Sequence, residues 1–305
     1  MNIIVTGADS QISKSLQKIN FFKKNNFFFF NKSELNILNH NDLITAFKKI
    51  KPNIVINCVA YTDVIVAENN KVQANEINNE CLIYLAEISN QFNALLIHFS
   101  TDYVFDGKKN NKYVEMDKTN PLSVYGNTKL LGEKQIINNS HNYLILRVSW
   151  LFSDFKKNFV KFVISKLDSN EDFYAVNDLY SIPTSADETA KFLLFIINKE
   201  NNHKYNKIYN FVNSGPVVSW FEFANFIKQK YSLFKKVRSK IIPISSLNFY
   251  NNSIRPGDSR WSRPIIMTSA NNGSGSCYPV SRFSMKLPVM IKANLPSLSR
   301  IPAFG

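Results

Sequence analysis

Residues 1–13 read MNIIVTGADSQIS. The short apolar run Ile3–Thr6 is followed at once by Gly7, which predicts a first strand that enters a glycine turn. Dinucleotide-binding folds place glycines at such a turn, because backbone N–H groups must approach a pyrophosphate at the next helix N-terminus. Only Gly7 of a GxxGxxG spacing is present, since Ser10 and Ser13 occupy the other two places. Taken alone, the pattern is explained equally well by an ordinary tight turn.

The first half of the chain continues this alternation of strand and helix. Four further apolar runs predict strands at Phe27–Phe30, Ile54–Asn57, Leu95–Ser100 and Leu144–Val148. Segments with helical spacing lie between them, at Asn41–Ile50, Val72–Asn90 and Thr128–Asn138. Near-continuous apolar strands that alternate with helices indicate a parallel sheet covered on both faces. The sequence therefore predicts an α/β fold with a doubly wound, Rossmann-like parallel sheet in a dinucleotide-binding domain over residues 1–150.

Beyond Trp150 the pattern changes to longer helices separated by loops. These helices are predicted at Asn158–Leu167, Ala186–Asn198 and Trp220–Tyr231. We interpret residues 151–262 as a smaller C-terminal substrate-binding lobe, from which residues 208–212 return to the sheet as a strand. Residues 263–305 contain no Asp or Glu but five of the eleven prolines. We interpret them as an atypical tail, either disordered or non-native.

Composition and charge restrict the classes of function. The 305 residues include 37 Lys and Arg against 23 Asp and Glu, a net charge of +14. The lysines are spread along the chain, which indicates a solvated surface and disfavours a nucleic-acid-binding role. No apolar run approaches the roughly 20 residues that cross a membrane, and the start lacks a signal-peptide pattern. Three scattered cysteines without a CxxC pair predict no metal site and favour a cytoplasmic location.

Two segments carry residues that suit the reduction of a ketone. Thr101 follows the predicted strand Leu95–Ser100, at the strand end where ligands bind in open α/β sheets. Tyr125 and Lys129 are four residues apart and therefore share one helix face. A phenol with an ordinary pKa near 10 could protonate a developing alkoxide, and a nearby ammonium would lower that pKa. We predict that Thr101, Tyr125 and Lys129 are catalytic, with Lys129 also bonded to a nicotinamide ribose.

Two alternative interpretations are less favoured. A lone YxxxK spacing arises by chance on the surface of many helices. Its combination with a threonine at a strand end makes a chance occurrence the less favoured interpretation. A Ser/His/Asp hydrolase is disfavoured, because the four histidines have no GxSxG partner. We interpret these histidines as packing or surface residues.

A series of longer motifs resembles the dTDP-4-dehydrorhamnose reductase family, a branch of the extended short-chain dehydrogenase/reductases. The motifs are NCVAYT at 57–62, HFSTDYVFDG at 98–107, PLSVYGNTKLLGE at 121–133, RVSWLF at 147–152, DLYSIPT at 178–184, SWFEFA at 219–224 and RPGDS at 255–259. The resemblance covers roughly the first 260 residues. It departs from the family at Ser10, Ser13 and Ser181, which replace glycines, and at Asn36, which replaces an Asp.

The resemblance implies an NADPH-dependent reduction of the 4-keto group of dTDP-4-dehydro-L-rhamnose to dTDP-L-rhamnose, for polysaccharide biosynthesis. NADH is the alternative cofactor, and the resemblance leaves open both a need for Mg²⁺ and a homodimer. The runner-up functions are another nucleotide-sugar reductase or epimerase, and a non-catalytic relative such as a methionine adenosyltransferase regulatory subunit. Retention of Thr101, Tyr125 and Lys129 weighs against the last.

The resemblance also implies roles for individual residues. Tyr125 would be the proton donor, Lys129 its partner and Thr101 the ligand of the substrate carbonyl. The implied cofactor-binding residues are Gly7, Ser10, Gln11, Ile12, Asn36, Ile37, Ala60, Tyr61, Thr62, Tyr125 and Lys129. The implied substrate-binding residues are Thr101, Asp102, Trp150 and Arg255. For Trp150 a buried anchor is the alternative, and for Arg255 a structural salt bridge is about equally favoured.

Overall fold

The computed structural model describes residues 1–19, 25–109, 112–199 and 205–250. The strands are β1 (Asn2–Thr6), β2 (Asn26–Phe30), β3 (Ile54–Asn57), β4 (Leu95–Thr101), β5 (Tyr143–Val148), β6 (Leu151–Phe152), β7 (Phe173–Val176), β8 (Tyr180–Ser181), β9 (Thr184–Ser185), β10 (Lys207–Asn210), β11 (Val218–Ser219) and β12 (Ile241–Ile244). The helices are α1 (Gln11–Lys18), α2 (His40–Ile50), α3 (Val64–Asn69), α4 (Lys71–Asn75), α5 (Cys81–Gln91), α6 (Val124–Asn139), α7 (Phe159–Ser169), α8 (Ala186–Lys199), α9 (Trp220–Tyr231) and α10 (Ser246–Tyr250).

A sheet of six strands forms the centre of the molecule, in the order β10-β5-β4-β3-β1-β2. All five neighbouring pairs are parallel. The five strands predicted from apolar runs are β1 to β5. The order reverses at β1, whose neighbours β2 and β3 lie on opposite sides, so a crevice opens beyond the carboxyl ends of β1 and β3.

Helices cover both faces of this sheet. In β1, Ile3 and Val5 pack with side chains of α1 and α8, whereas Ile4 packs with side chains of α2 and α5. All three are fully buried. Burial on both faces explains why the strands are continuous apolar runs rather than alternating ones. The predicted doubly wound α/β fold is confirmed.

A second apolar cluster holds the C-terminal lobe together. It is built from α7, α9 and β7, and contains Val163, Phe173 and Phe223. Part of the interval 151–262 belongs instead to the main sheet, because α8 packs beside α1 and β10 pairs with β5. The domain boundaries at 150 and 262 stay predictions, and residues 251–305 lie outside the described residues.

One predicted helix is interrupted. The segment Val72–Asn90 was expected to be continuous, but a π-helical turn, Glu76–Glu80, separates α4 from α5. Asn78 in this turn is fully buried. Its side chain accepts a hydrogen bond from the Tyr61 N–H and donates one to the Thr128 hydroxyl. The turn therefore ties the loop after β3 to α6. Among the described residues, no helix is long and apolar enough to span a membrane.

Candidate active site

The turn after β1 requires glycine at one position only. Gly7 has a φ of +71°, and a Cβ there would lie 3.0 Å from the backbone carbonyl of Cys58. Ser10 has extended backbone, with φ −67° and ψ 159°. Its side chain accepts from the Ser13 N–H at 3.1 Å and lies close enough to the Cys58 thiol to lower its pKa, against the larger opposing effect of burial. Serine in place of the second glycine therefore introduces no backbone strain.

The side chains of two residues at the start of α1 are occupied by contacts within the protein. Ile12 is 4% exposed and packs in the core. Gln11 accepts from Ser153 Oγ at 2.8 Å and from Asn158 Nδ2 at 3.1 Å. Its amide also donates to the Leu151 carbonyl at 3.3 Å. A ligand at this helix end could therefore meet Gln11 and Ile12 only through backbone N–H groups, which lack intrahelical partners there.

The residues expected near the adenine end and along the dinucleotide differ in how accessible their side chains are to a ligand. Ile37 is 4% exposed and lies in the core, so its side chain is unavailable to a ligand. Asn36 is half-buried, and its side chain accepts from the Leu38 N–H at 3.2 Å. The segment 60–62 lies in the loop after β3, where Asn78 donates to the Tyr61 carbonyl at 3.0 Å.

The structure brings Thr101 and Tyr125 together. Thr101 is the last residue of β4, Tyr125 lies in the first turn of α6, and the Thr101 hydroxyl lies close enough to the Tyr125 phenol to lower its pKa. Thr101 Oγ1 also donates to Asp102 Oδ1 at 3.0 Å. Burial raises the pKa of Asp102 to about 7, against the opposing effect of the Thr101 hydrogen bond. A hydroxyl pair and a carboxyl group thus meet at the carboxyl edge of the sheet.

Close backbone contacts place Tyr125 at this edge. A Cβ on Gly126 would lie 2.3 Å from the Tyr103 carbonyl oxygen, so only glycine allows α6 to begin so near the end of β4. Ser123 caps the helix by accepting from the Gly126 N–H at 3.0 Å. The Tyr103 and Tyr125 rings meet edge to face, with their centroids 5.4 Å apart.

Lys129 lies one turn beyond Tyr125 and is 1% exposed. Its Nζ is 2.6 Å from the Phe99 carbonyl oxygen and 2.9 Å from His98 Nε2. Burial lowers the pKa of Lys129 to about 8, although the charges of Glu133 and Cys81 raise it.

This arrangement corrects the expected effect of Lys129 on Tyr125. Burial raises the pKa of Tyr125 to about 12, the nearby Thr101 hydroxyl lowers it, and the charge of Asp102 raises it further. The lysine nitrogen is directed at His98 and Phe99 instead. His98, interpreted as a packing or surface residue, is 1% exposed, and its ring also contacts Lys129, a predicted catalytic residue. The sequence signal for a buried polar contact at His98 was the presence of this polar residue inside the apolar run of β4.

Trp150 lies where β5 meets the C-terminal lobe. It has a φ of +43°, which is uncommon for a large side chain. Its ring stacks on Trp220 with centroids 3.5 Å apart and an angle of 10° between the planes. Trp150 therefore has a packing partner, and its contact with a substrate stays a prediction. Arg255 lies outside the described residues. No group of three or more His, Cys, Asp or Glu side chains in the described part of the chain could hold a metal ion.

A glycine turn at the reversal of a parallel sheet, together with a Thr–Tyr pair and a lysine one helical turn later, defines an extended short-chain dehydrogenase/reductase fold and site. Residues 1–271 match the family model described as the RmlD substrate binding domain. The chain is 36% identical to the dTDP-4-dehydrorhamnose reductase of Aggregatibacter actinomycetemcomitans, over 73% of this chain and 76% of the relative. It therefore belongs to the dTDP-4-dehydrorhamnose reductase family.

Two further comparisons extend over more of the chain. The dTDP-4-dehydrorhamnose reductase of Sinorhizobium fredii is 31% identical over 85% of this chain and 88% of the relative. The crystal structure of the Bacillus anthracis str. Ames dTDP-4-dehydrorhamnose reductase in complex with NADP has a TM-score of 0.80 and 29% identity. That match covers 88% of this chain and 90% of the solved one.

Proposed function

We propose that this chain is an NADPH-dependent oxidoreductase that reduces the 4-keto group of dTDP-4-dehydro-L-rhamnose to dTDP-L-rhamnose. Its place would be polysaccharide biosynthesis in the cytoplasm. Membership of the family and the names of its relatives support this activity. The observation that carries the proposal is the approach of the Thr101 hydroxyl to Tyr125 at the carboxyl end of β4, close enough to lower the pKa of the phenol.

The crevice beyond β1 and β3 fits a dinucleotide. Gly7 leaves room for close approach. The Ser10 N–H donates to the Gly7 carbonyl at 2.8 Å, which leaves the backbone N–H groups of Gln11 and Ile12 as the donors at the start of α1. These groups would hold the pyrophosphate, with 36–37 near the adenine end and 60–62 along the dinucleotide. NADPH, with NADH as the alternative, supplies the hydride.

The side chains at the sheet edge would supply the proton that the substrate oxygen takes up. Thr101 would hold the carbonyl oxygen with its hydroxyl, and Tyr125 would give that oxygen its phenolic proton as negative charge develops there. The partnership of Lys129 with Tyr125, in which a charged Lys129 would stabilise the phenolate that remains, stays part of this proposal, although the lysine nitrogen contacts His98 and Phe99 in this structure. Asp102, Trp150 and Arg255 are proposed to contact the sugar nucleotide.

The test follows NADPH absorbance and sugar products when the purified chain receives dTDP-4-dehydro-L-rhamnose. We expect NADPH to be consumed, and Tyr125→Phe to lower kcat by about 10²-fold or more while NADPH binding is kept. Tyr174→Phe is the control, because Tyr174 is 55% exposed on β7. A fully active Tyr125→Phe variant would refute the proton donor. Sugar interconversion without net loss of NADPH would indicate an epimerase instead.

A further inference from the structure

A line of buried polar side chains runs behind the catalytic edge and crosses four elements. Thr6 Oγ1 is 2.7 Å from Asn57 Oδ1, Asn57 Nδ2 is 3.1 Å from His98 Nδ1, and His98 Nε2 is 2.9 Å from Lys129 Nζ. None of the four residues is more than 1% exposed. Burial of polar groups is costly unless each finds a partner, so the direction of every hydrogen bond in this line matters.

The backbone fixes the direction of the first bonds. Asn57 Oδ1 accepts from the Val59 N–H at 3.1 Å, and a backbone N–H can only donate. The amide nitrogen of Asn57 must therefore face His98 Nδ1 and donate to it. Burial, with a smaller effect of the Lys129 charge, lowers the pKa of His98 well below its ordinary value. A neutral ring with an accepting Nδ1 carries its single proton on Nε2.

The protonated Nε2 meets the lysine nitrogen. Lys129 Nζ donates to the Phe99 carbonyl oxygen at 2.6 Å. A lysine ammonium has three donors and no acceptor, so it cannot accept from Nε2–H. The neutral amine has a lone pair and can accept from His98 while it donates to Phe99. The arrangement therefore suits an uncharged Lys129.

We propose that His98 is a positioning residue for Lys129: held by Asn57 in its Nε2–H form, it donates to the lysine nitrogen and sets the pH at which Lys129 gains its charge. Burial lowers the pKa of Lys129, which favours the uncharged amine that this contact needs. The other titratable groups around Lys129 are Glu133 and Tyr125, each one turn away on α6, and Cys81 at the start of α5. Glu133 is already paired with Arg147 at 2.6 Å.

The first test reads the tautomer directly in the chain without cofactor. Nitrogen-15 NMR of the imidazole, assigned to His98 by backbone connectivity, should show a neutral ring with its proton on Nε2 from pH 8 to pH 10, where a Lys129 with a pKa of about 8 is uncharged in half or more of the molecules. A proton on Nδ1, or a ring that becomes charged in that range, would overturn the proposal. This arm needs no substituted protein.

The second test reverses the direction of the line. In Asn57→Asp, the new carboxylate can accept from Thr6, Val59 and His98 together, so the imidazole proton should move to Nδ1. His98 Nε2 would then accept from the Lys129 ammonium. The pKa of Lys129, followed through its ¹³Cε resonance, should rise by about one unit or more. A rise without the change of tautomer would show an effect of charge alone and would contradict the proposal.

Thr6→Val is the matched control, since Val59 still fixes the Asn57 amide when the threonine hydroxyl is lost. Neither the tautomer nor the pKa of Lys129 should move in it. The positioning of Lys129 by His98 rests on the proposed reductase function in one respect only, the partnership of Lys129 with Tyr125. With substrate, the limb of the kcat/KM pH profile due to Lys129 should move with its NMR pKa in Asn57→Asp. An inactive wild-type chain with the Nε2–H tautomer would refute the reductase activity and leave the positioning of Lys129 intact.

Discussion

Gly132 offers a sharp test of how α6 is held in place. A Cβ at this position would lie 2.0 Å from the Asn78 carbonyl oxygen and 2.6 Å from Leu82 Cδ1. Ordinary van der Waals contact begins near 3.4 Å, so one of the two backbones must move by roughly an ångström or more. The π-helical turn resists that movement, because the Asn78 side chain is bonded to both Tyr61 and Thr128.

Two opposing effects set the magnitude for Gly132→Ala. Helix propensity alone would stabilise alanine over glycine by about 1 kcal/mol. Overpacking costs about 1–3 kcal/mol, and a clash with a backbone oxygen belongs at the upper end of that range or beyond it. We therefore expect the free energy of unfolding to fall by about 2 kcal/mol or more.

The assay is equilibrium unfolding in urea, read from the midpoint and the slope. Lys134→Ala is the control, because this exposed residue lies two positions further along the same helix. Its free energy of unfolding should change by no more than about 0.5 kcal/mol. If Gly132→Ala is as stable as the wild type, or more stable, the close approach of α6 to Asn78 is not a constraint and the reasoning fails.

Two further predictions concern buried charge. Glu133→Gln should lower the free energy of unfolding by about 3–5 kcal/mol, since it leaves the guanidinium of Arg147 buried without its bidentate partner. Glu171→Gln, at an exposed ion pair, should leave the urea midpoint nearly unchanged in the same assay. The raised pKa of Asp102 predicts that its native state binds more protons than the unfolded state between about pH 4 and about pH 7, so its contribution to stability is present below that window and is lost as pH rises through it. Asp102→Asn should lack this loss, and a wild-type urea midpoint that follows the same pH dependence as the variant would contradict the assignment.

The central sheet could be predicted from the sequence because burial on both faces leaves a signal in each strand. Ile54–Asn57 was predicted with the bounds that the structure gives β3. The start of α6 was placed too late, at Thr128 rather than Val124. Its first turn contains few apolar residues, and the feature that begins the helix is the Ser123 cap, which apolar periodicity does not detect.

The contacts behind the site could not be predicted in the same way. His98 and Lys129 are 31 residues apart, and Asn57 is 41 residues from His98. Such pairs come together only through the order of strands in the sheet, and no local pattern encodes them. The interruption of Val72–Asn90 is similar, because the polar residue that anchors the π-helical turn, Asn78, contacts α6 rather than its own helix.

The departures from the family at the phosphate loop become understandable from backbone geometry. Gly7 is retained where a positive φ and the backbone of Cys58 leave no space for a side chain. Ser10 replaces glycine where φ is negative, and its hydroxyl caps α1. Ser13 is fully buried, and its hydroxyl has no hydrogen-bond partner, which carries a cost in stability. The backbone of this loop therefore requires glycine only at Gly7. At Ser13 the replacement of glycine costs stability, because a hydroxyl is buried without a hydrogen-bond partner. Ser13→Gly and Ser13→Ala separate these effects: if burial of the hydroxyl is the cost, alanine will stabilise the chain more than glycine does.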